Sequence, residues 1–468
     1  MRTPILTLAT LGLAQMPFLA QPALAATPSA FSDANWVALG QDLDVFALAV
    51  DTNGNVYVGS AVVTGRDSKG VAKWDGSHWS ALGSGVGTGG SQVHALAFDA
   101  KGNLYAGGQF GEAGGARANC IAKWDGSAWS ALGAGIGPAP GAWVNALACD
   151  TNGNLYAGGD FGTAGGVNIR AIAKWDGKTW SALGSGIAGT VYALACDAKG
   201  NLYAGGDLYF GGVDNGPNLA KWDGSAWSSL GSLTINHYAI NGLPTPWVRA
   251  LAVDGSGNLY AGGWFESAGS IFATNIAKWN GSTWAALGPG IDLQVWALAV
   301  DSSGNLYAGG DFTSAGGASA HSVARWDGSG WSALGSGVAG FAWVSAMAPD
   351  GLGNLYVGGT FTTAGTQACT NFAKALLTGP TPNRLLLANA GGGTNVITYL
   401  GTPGSRYALD LAASLAPPIS WMPQATNAAS TNNAASAGYV SFADSNRLPQ
   451  AYYRTRLVQA QGEQGTNP

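Results

Sequence analysis

The chain has 468 residues, of which 74 are glycine and 19 are tryptophan, while only 10% are charged. With 47% hydrophobic and 10% aromatic residues, it has enough apolar surface to bury a core. This excludes a disordered glycine-rich chain and favours many short strands joined by glycine turns. A formal net charge of −5 without any cluster of Lys and Arg excludes a nucleic-acid-binding surface.

The first residues have the features of a secretory signal peptide. Arg2 gives a positive start, an apolar stretch follows, and Ala23-Leu24-Ala25 offers a small-residue cleavage site. The stretch is too short to span a bilayer, and no later segment has about twenty apolar residues in succession. We therefore assign residues 1–25 to a signal peptide and expect a secreted, cell-surface or periplasmic protein without a transmembrane segment after signal removal.

One unit of four pieces then recurs: V-x-A-L-A-x-D, G-N-L-Y-A-G-G-x-F, I-A-K-W-D-G and W-S-A-L-G. Its tyrosine returns at intervals of 48, 51, 47, 57, 47 and 49 residues, a period typical of four-stranded propeller blades. Each piece is short, apolar and bounded by turn residues, as buried strands are. The recurring aspartate before G-N is assigned to turn capping, and the recurring tryptophans to packing between blades. The marker tyrosines are Tyr57, Tyr105, Tyr156, Tyr203, Tyr260, Tyr307 and Tyr356.

The count of these pieces predicts how the ring closes. First, second and third strands occur seven times, the last third strand in the degenerate form Ala373-Lys374-Ala375, but fourth strands follow only six of them. The missing fourth strand lies before the first repeat, at residues 35–40 (N-W-V-A-L-G). The prediction is an all-β fold, a seven-bladed β-propeller over residues 32–376 closed by an N-terminal strand in the last blade. Such closure leaves no free strand edge in the ring.

The composition changes after the repeats. Residues 377–382 contain G-P-T-P and are predicted to be a linker. Residues 383–460 contain short apolar runs between Gly and Pro turns and are predicted to form a small C-terminal β-sandwich. Residues 461–468 are predicted to be a disordered tail.

These motifs resemble known families. IAKWDGSAWSALG and NLYAGGDF resemble repeats of bacterial secreted propellers and of a fungal family of cell-polarity surface propellers, and ALAVDSSGNLYAGG is similar to NHL-type and kelch-like hairpins. In the C-terminal region, G-x-P-G-x-x-Y and the final Y-Y-R resemble a β-sandwich module attached to secreted proteins of environmental bacteria, which implies attachment or secretion. The resemblance implies a propeller but no particular activity, because one fold serves many functions.

One position of the first strand, the x of V-x-A-L-A, differs between repeats while its neighbours stay nearly constant. It lies at the start of the innermost strand, near the channel mouth, on the face where the variable connections gather. Its aromatic, Arg, Asn and His side chains suit recognition of a sugar or peptide, and packing between blades is the alternative. In three repeats Trp143, Trp247 and Trp343 precede the valine, as aromatic platforms or as caps on the core. The seven candidate ligand-binding residues are Phe46, His94, Asn145, Tyr192, Arg249, Trp296 and Ser345.

Motifs for catalysis are sparse. The four histidines are not spaced as metal ligands. Asp160, Asp207 and Asp311 share one second-strand position, but nothing in the sequence pairs them with the second carboxylate that a glycosidase needs. None of the four cysteines lies in a C-x-x-C pair, and Cys149 and Cys196 replace apolar residues of other repeats, so a small buried side chain is favoured over a disulfide. We assign no catalytic residue, no metal and no cofactor.

The sequence therefore favours a monomeric, non-catalytic binding or scaffold protein. It would present its loop-rich propeller face to a glycan, a peptide or a cell-surface partner. The alternative is a secreted carbohydrate-active enzyme, a hydrolase or lyase, with its site at the channel mouth. Two or more carboxylates, or a histidine with carboxylates, placed together at that mouth would favour the enzyme. A purely structural surface protein is the third interpretation.

Overall fold

The computed structural model describes residues 31–40, 44–61, 70–137, 141–209, 218–231, 233–234, 246–340 and 342–377, and six further strands between 385 and 458. The predicted signal peptide, residues 378–382 of the predicted linker and the predicted tail lie outside the described residues. Apart from a three-residue 3-10 helix at Asp33–Asn35, the described elements are β-strands, which confirms the all-β prediction. No helix in this part of the chain has the length and apolarity needed to cross a bilayer.

Up to residue 377, the described residues contain seven antiparallel sheets of four strands. The first strand of each sheet contacts the first strand of the next, and the seventh contacts the first. The first strands thus form a closed inner ring, which is the arrangement of a β-propeller. From the inner to the outer strand, sheets 1 to 7 are Val45–Val50, Val56–Ser60, Val71–Trp74 and Trp79–Ala81; Gln92–Phe98, Leu104–Gln109, Ile121–Trp124 and Trp129–Ala131; Trp143–Cys149, Leu155–Asp160, Ile172–Trp175 and Trp180–Ala182; Ala188–Cys196, Leu202–Tyr209, Leu219–Trp222 and Trp227–Ser229; Trp247–Val253, Leu259–Trp264, Ile276–Trp279 and Trp284–Ala286; Val295–Val300, Leu306–Gly310, Val323–Trp326 and Trp331–Ala333; and Trp343–Pro349, Asn354–Thr360, Phe372–Leu376 and Trp36–Ala38.

The seventh sheet takes its outer strand from the N-terminal segment. Trp36–Ala38 pairs antiparallel with Phe372–Leu376. The Trp36 side chain is only 1% exposed, and its indole N–H donates to the carbonyl of Leu334 in the sixth sheet at 3.0 Å. The predicted pairing of the N-terminal strand with the last sheet is confirmed.

Adjacent sheets approach closely at one glycine of each second strand. A Cβ atom at Gly107 would lie 2.5 Å from Val144 of the next sheet, where ordinary contact begins at 3.4 Å. The same approach recurs at every junction of the seven sheets, including Gly358 against Val45 between the last and the first. Glycine at this position lets neighbouring sheets pack without a gap.

In six of the seven sheets, a tryptophan of the fourth strand donates a hydrogen bond to the preceding sheet. The Trp129 indole N–H donates to the Leu82 carbonyl at 2.9 Å, and equivalent bonds of 2.6–3.0 Å join five further pairs of sheets. At the junction between the seventh and first sheets, Trp79 packs on Phe372 with ring centroids 5.3 Å apart. There the indole nitrogen has no hydrogen-bond partner among the described residues. This junction, where the two ends of the ring meet, therefore lacks the tryptophan hydrogen bond that the other six junctions have.

Aspartate caps the turn between the first and second strands in all seven sheets. In the first sheet, Asp51 accepts the backbone N–H groups of Asn53 and Asn55 at 2.9 Å, the Asn55 side-chain amide at 2.7 Å and the Tyr57 hydroxyl at 3.2 Å. Burial, assisted by this carboxylate, raises the pKa of Tyr57 to about 12, so its hydroxyl stays a donor. The predicted caps are confirmed, and the face that carries these turns is called the turn face.

On the opposite face, the connections from second to third strand are more regular than the sequence suggested. In five sheets each forms a hairpin of two two-residue strands, and this side is called the hairpin face. The connection that leads from the preceding sheet into each of these sheets also pairs with the hairpin. For example, Val86 pairs with Ala113. The corresponding segments of sheets 1 and 4 lie mostly outside the described residues. The hairpins are Glu112–Ala113 with Ala116–Arg117, Thr163–Ala164 with Val167–Asn168, Ser267–Ala268 with Ile271–Phe272, Ser314–Ala315 with Ala318–Ser319, and Thr363–Ala364 with Gln367–Ala368; Leu233–Thr234 and Val338–Ala339 extend the third and fifth of them.

Six strands after the propeller form two three-stranded antiparallel sheets. Across the sheets, Met422–Ala428 contacts Tyr439–Asp444, and Leu385–Asn389 contacts Tyr452–Val458. The predicted sandwich over 383–460 stays a prediction. In strand order, the sheets are Leu385–Asn389, Asn395–Leu400 and Tyr439–Asp444, and Met422–Ala428, Arg406–Ala412 and Tyr452–Val458.

All four cysteines are free thiols. Cys120 and Cys369 are buried, whereas Cys149 and Cys196 are half-buried. Burial raises the pKa of both Cys149 and Cys196 to about 12, so these thiols stay protonated at neutral pH. They occupy apolar positions of the repeat as small side chains.

Candidate functional site

The seven candidate residues share one backbone feature that the sequence did not reveal. In the second sheet, the pairing of first and second strands shifts between Val93 and Ala95, so His94 is the extra residue of a β-bulge. The same shift occurs at the variable position of the other six sheets. A bulged residue has no partner across the ladder, and bulges near functional sites re-aim a side chain. We call Phe46, His94, Asn145, Tyr192, Arg249, Trp296 and Ser345 the bulge ring.

The second glycine of the A-G-G motif makes room for this bulge. A Cβ atom at Gly108 would collide with the carbonyl oxygen of Gln92, two residues before His94. The equivalent glycine meets the equivalent carbonyl in sheets 3 to 7. The glycine pair was therefore an available sign of the bulge, and sequence reasoning assigned it only to strand and turn structure.

The channel mouth is the end of the channel on the hairpin face. On one side of this mouth, the bulge ring is aromatic and uncharged. The His94 ring lies between Phe46 and Trp143, with centroid distances of 5.1 and 5.5 Å. Burial lowers the pKa of His94 to about 4, so the imidazole is neutral at physiological pH. We call these three residues the apolar sector.

On the other side, a cation lies among aromatic rings. The guanidinium carbon of Arg249 is 3.9 Å from the centre of the Tyr192 ring, 4.9 Å from Trp296 and 5.4 Å from Trp247. Burial lowers the pKa of Arg249, and the only ionisable group that opposes this is the Tyr192 phenol. The Nε–H of Arg249 is buried and has no hydrogen-bond partner among the described residues.

Two polar residues lie beside this cation cluster. The carboxyl of Asp311 is next to the Trp296 indole without hydrogen-bond geometry between them, and burial raises its pKa. Gln294 immediately precedes the inner strand that contains Trp296. Its backbone carbonyl accepts the Asp311 backbone N–H at 3.4 Å. We call Tyr192, Trp247, Arg249, Gln294, Trp296 and Asp311 the arginine sector.

The two smallest members of the bulge ring bond to the backbone of the next sheet. The Asn145 side-chain amide donates to the Val191 carbonyl at 3.2 Å. The Ser345 hydroxyl donates to the Val45 carbonyl, across the junction of the last and first sheets. All seven predicted residues therefore lie in one circle around the channel, and each packs against a neighbouring sheet or ring residue. Both the recognition interpretation and the packing interpretation predict such contacts.

Unused hydrogen-bonding groups distinguish this circle from ordinary packing. Among the described residues, nine buried side-chain nitrogen or oxygen atoms have no hydrogen-bond partner. Buried polar groups are almost always paired, and each unpaired one costs about 1–3 kcal/mol. Six of the nine lie at this end of the channel: His94 Nε2, Trp247 Nε1, Arg249 Nε, Gln294 Oε1, Trp296 Nε1 and Asp311 Oδ1.

The three tryptophans noted beside the variable positions differ in exposure. Trp343 is 50% exposed, and its ring centroid lies 6.2 Å from that of Trp296. Trp143 and Trp247 are half-buried within the two sectors. Trp343 therefore extends the arginine sector with an open aromatic surface.

Two of the carboxylates that share the G-G-D position lie far apart around the ring. Asp160 is exposed and Asp311 is half-buried, and they belong to sheets three apart. The carboxylate that acts on the pKa of Asp311 is instead Asp292, which raises it further. Asp292 accepts both the backbone N–H and the hydroxyl of Thr313, at 3.0 and 2.6 Å, and so caps a hairpin of the hairpin face. Within the described residues, no three His, Cys, Asp or Glu side chains are grouped to hold a metal ion.

A cleft of about 660 Å³ lies on the turn face between sheets 6 and 7. It contains Arg325, the one arginine at the lysine position of the A-K-W motif, whose Nη2 donates to Asn305 Oδ1 at 2.8 Å. This cleft is remote from the bulge ring, because it opens at the opposite ends of the inner strands.

No protein-family model and no curated protein sequence matches the chain. Its structure is similar to the extracellular domain of a one-component system from B. thetaiotaomicron (12% identity, 81% of this chain, 46% of that chain, TM-score 0.45). It is also similar to PorZ, a surface component of the type-IX secretion system of Porphyromonas gingivalis (15%, 90% and 60%, TM-score 0.46), and to YCF48 bound to D1 peptide (14%, 78% and 99%, TM-score 0.46). The chain spans less than half the length of the first of these. Function therefore has to be read from the residues of this chain.

Proposed function

We propose that the chain is an exported, monomeric, non-catalytic binding protein, built as a seven-bladed β-propeller over residues 32–376 with a small C-terminal β-sandwich over 383–460. The bulge ring receives a protruding part of a glycan, a peptide or a cell-surface partner at the channel mouth. The signal-like segment 1–25 supports export, and the G-x-P-G-x-x-Y and Y-Y-R motifs support attachment or secretion by the C-terminal module.

One observation carries this proposal: six buried polar atoms without partners are gathered at one end of the channel. A circle that served packing alone would be satisfied by apolar side chains, which leave no unpaired group behind. A ligand that fills the mouth would supply the missing partners. The bulges support the same interpretation, because they free seven side chains from the sheet ladder.

The test is binding of the mature protein to arrays of glycans and peptides, followed by titration of the best ligand. The double variant Arg249→Ala, Trp296→Ala should weaken binding at least tenfold, since both side chains lie in the mouth. The matched control Arg325→Ala removes an arginine from the turn face and should leave affinity unchanged. Ligand binding that survives the double variant, or no ligand on either array, would refute the proposal.

A carbohydrate-active enzyme is the second candidate, favoured by one observation. The Asp292 pKa is lowered by its hydrogen bonds to Thr313 and Ser314 against the effect of burial, whereas burial raises that of Asp311. Carboxyl groups with divergent pKa values can divide the roles of acid and base. Release of reducing ends from a polysaccharide, abolished by Asp311→Asn, would establish the enzyme. Binding without turnover would reject it.

A further inference from the structure

The arginine sector has more unused donors than acceptors, and one of the unused donors belongs to a half-buried cation. Its unpartnered donors are the Nε–H of Arg249 and the indole N–H groups of Trp247 and Trp296. Its unpartnered acceptors are Gln294 Oε1 and Asp311 Oδ1. An isolated buried charge is unfavourable unless it is paired, and the rings beside Arg249 supply only part of that pairing.

We propose that the arginine sector binds the carboxylate of an acidic sugar, a uronic acid unit of a glycan, with Arg249 as the main contact. This rests on the proposed function and names the ligand class for the same mouth. A carboxylate accepts several N–H donors at once and neutralises the guanidinium, and such charge-assisted bonds are the strong ones.

The two acceptors and the flat rings favour a sugar over an acidic peptide side chain. A uronic acid carries hydroxyl groups on the same rigid ring as its carboxylate, and these hydroxyls donate to Gln294 and Asp311. The half-exposed ring of Trp343, next to Trp296, offers a surface on which a second sugar ring lies. An aspartate or glutamate side chain brings a carboxylate without adjacent hydroxyls.

The apolar sector sets the direction of the ligand. Phe46, His94 and Trp143 present no charge, because His94 stays neutral at physiological pH. A charged sugar therefore binds at the arginine side, and uncharged parts of the glycan lie toward the apolar sector.

Calorimetric titration of the mature protein with matched ligands tests this inference. The probes are trimers of galacturonate, glucuronate and mannuronate, each beside its methyl ester, which keeps the ring and removes the charge. At least one free acid should bind ten times more tightly than its ester. Arg249→Gln should remove that preference, because the acid loses its charge partner whereas the ester has no charge to pair. Arg325→Gln, the matched control on the turn face, should keep the preference.

Several outcomes overturn the inference. These are equal binding of acid and ester, equal weakening of both by Arg249→Gln, and binding of an acidic peptide such as tetraglutamate with the same Arg249 dependence. If Arg249→Gln does not fold, the salt dependence of the wild-type protein decides, because binding of the acid must weaken with salt and binding of the ester must not. Neutral glycans that bind the bulge ring without the help of Arg249 would refute the inference and leave the proposed function standing. Absence of any ligand at the ring would refute both.

Discussion

Removing the Trp36 side chain should weaken the whole propeller, although it lies near the chain's beginning. Trp36 belongs to the three-residue strand that completes the seventh sheet, is 1% exposed, and donates to Leu334 at 3.0 Å. It also packs edge-on against Phe31, with ring centroids 5.8 Å apart. Replacing a buried tryptophan by alanine costs about 3–5 kcal/mol. The milder Trp36→Phe removes the N–H donor and should cost about 1 kcal/mol from the lost hydrogen bond.

The expected shift in melting temperature follows from the size of the ring. For a cooperative unit of about 345 residues, with an unfolding entropy of roughly 2.1 cal/mol/K per residue, each kcal/mol moves Tm by about 1.4 °C. Trp36→Ala should therefore lower Tm by about 4–7 °C in scanning calorimetry. Hydrogen exchange should show that Phe372–Leu376 loses protection, because its outer neighbour no longer pairs stably.

Trp129→Ala is the matched control, since Trp129 holds the equivalent position in an interior sheet and is 8% exposed. Both variants should lower Tm by similar amounts if the N-terminal strand is an integral part of the ring. If Trp129→Ala lowers Tm by about the expected 4–7 °C and Trp36→Ala lowers it by less than about 1 °C, the N-terminal strand does not hold the ring closed.

Three further predictions concern individual residues. Burial lowers the pKa of His94 from 6.5 to about 4, so the imidazole of the unfolded chain takes up a proton first as pH falls. The free energy of unfolding should therefore decline by up to about 3 kcal/mol between pH 6.5 and 4. Urea unfolding at several pH values should show that His94→Phe removes this part of the decline. Trp129→Phe should cost about 1 kcal/mol more than Trp79→Phe, because only the Trp129 indole has a hydrogen bond to lose, and equal changes in Tm would contradict that. Asn275 has a left-handed backbone with φ of 61°, so Asn275→Gly should melt at a higher temperature than Asn275→Ala by the equivalent of about 1 kcal/mol; the reverse order would show that the strain is absent.

The sequence predicted the ring because repeated pieces can be counted. The six fourth strands and the spare N-W-V-A-L-G segment determined the pairing of Trp36–Ala38 with the last sheet. The hairpins were missed, because strands of two residues such as Thr163–Ala164, next to consecutive glycines, have the composition of a loop. Recognising them requires the pairing across sheets that Val86 and Ala113 show.

For the site, the repeat comparison located the variable positions but not their chemistry. Nothing in the sequence shows that Arg249 lies 3.9 Å from the Tyr192 ring, since the two are 57 residues apart in separate repeats. Gln294 was overlooked, because it lies outside the V-x-A-L-A motif. That Asp311 and Trp296 are neighbours depends on the register of two strands at a bulge, which a one-residue shift would change.

The bulges allow amino-acid substitutions around the channel mouth that leave the strand pairing intact. A bulged side chain takes no part in strand pairing, so its codon can mutate without altering the ladder that holds the sheet together. Seven such codons surround a single opening, each in its own repeat, and they can be varied together without altering the strand pairing of the scaffold. A library randomised at these positions alone should yield correctly folded proteins with new ligand preferences.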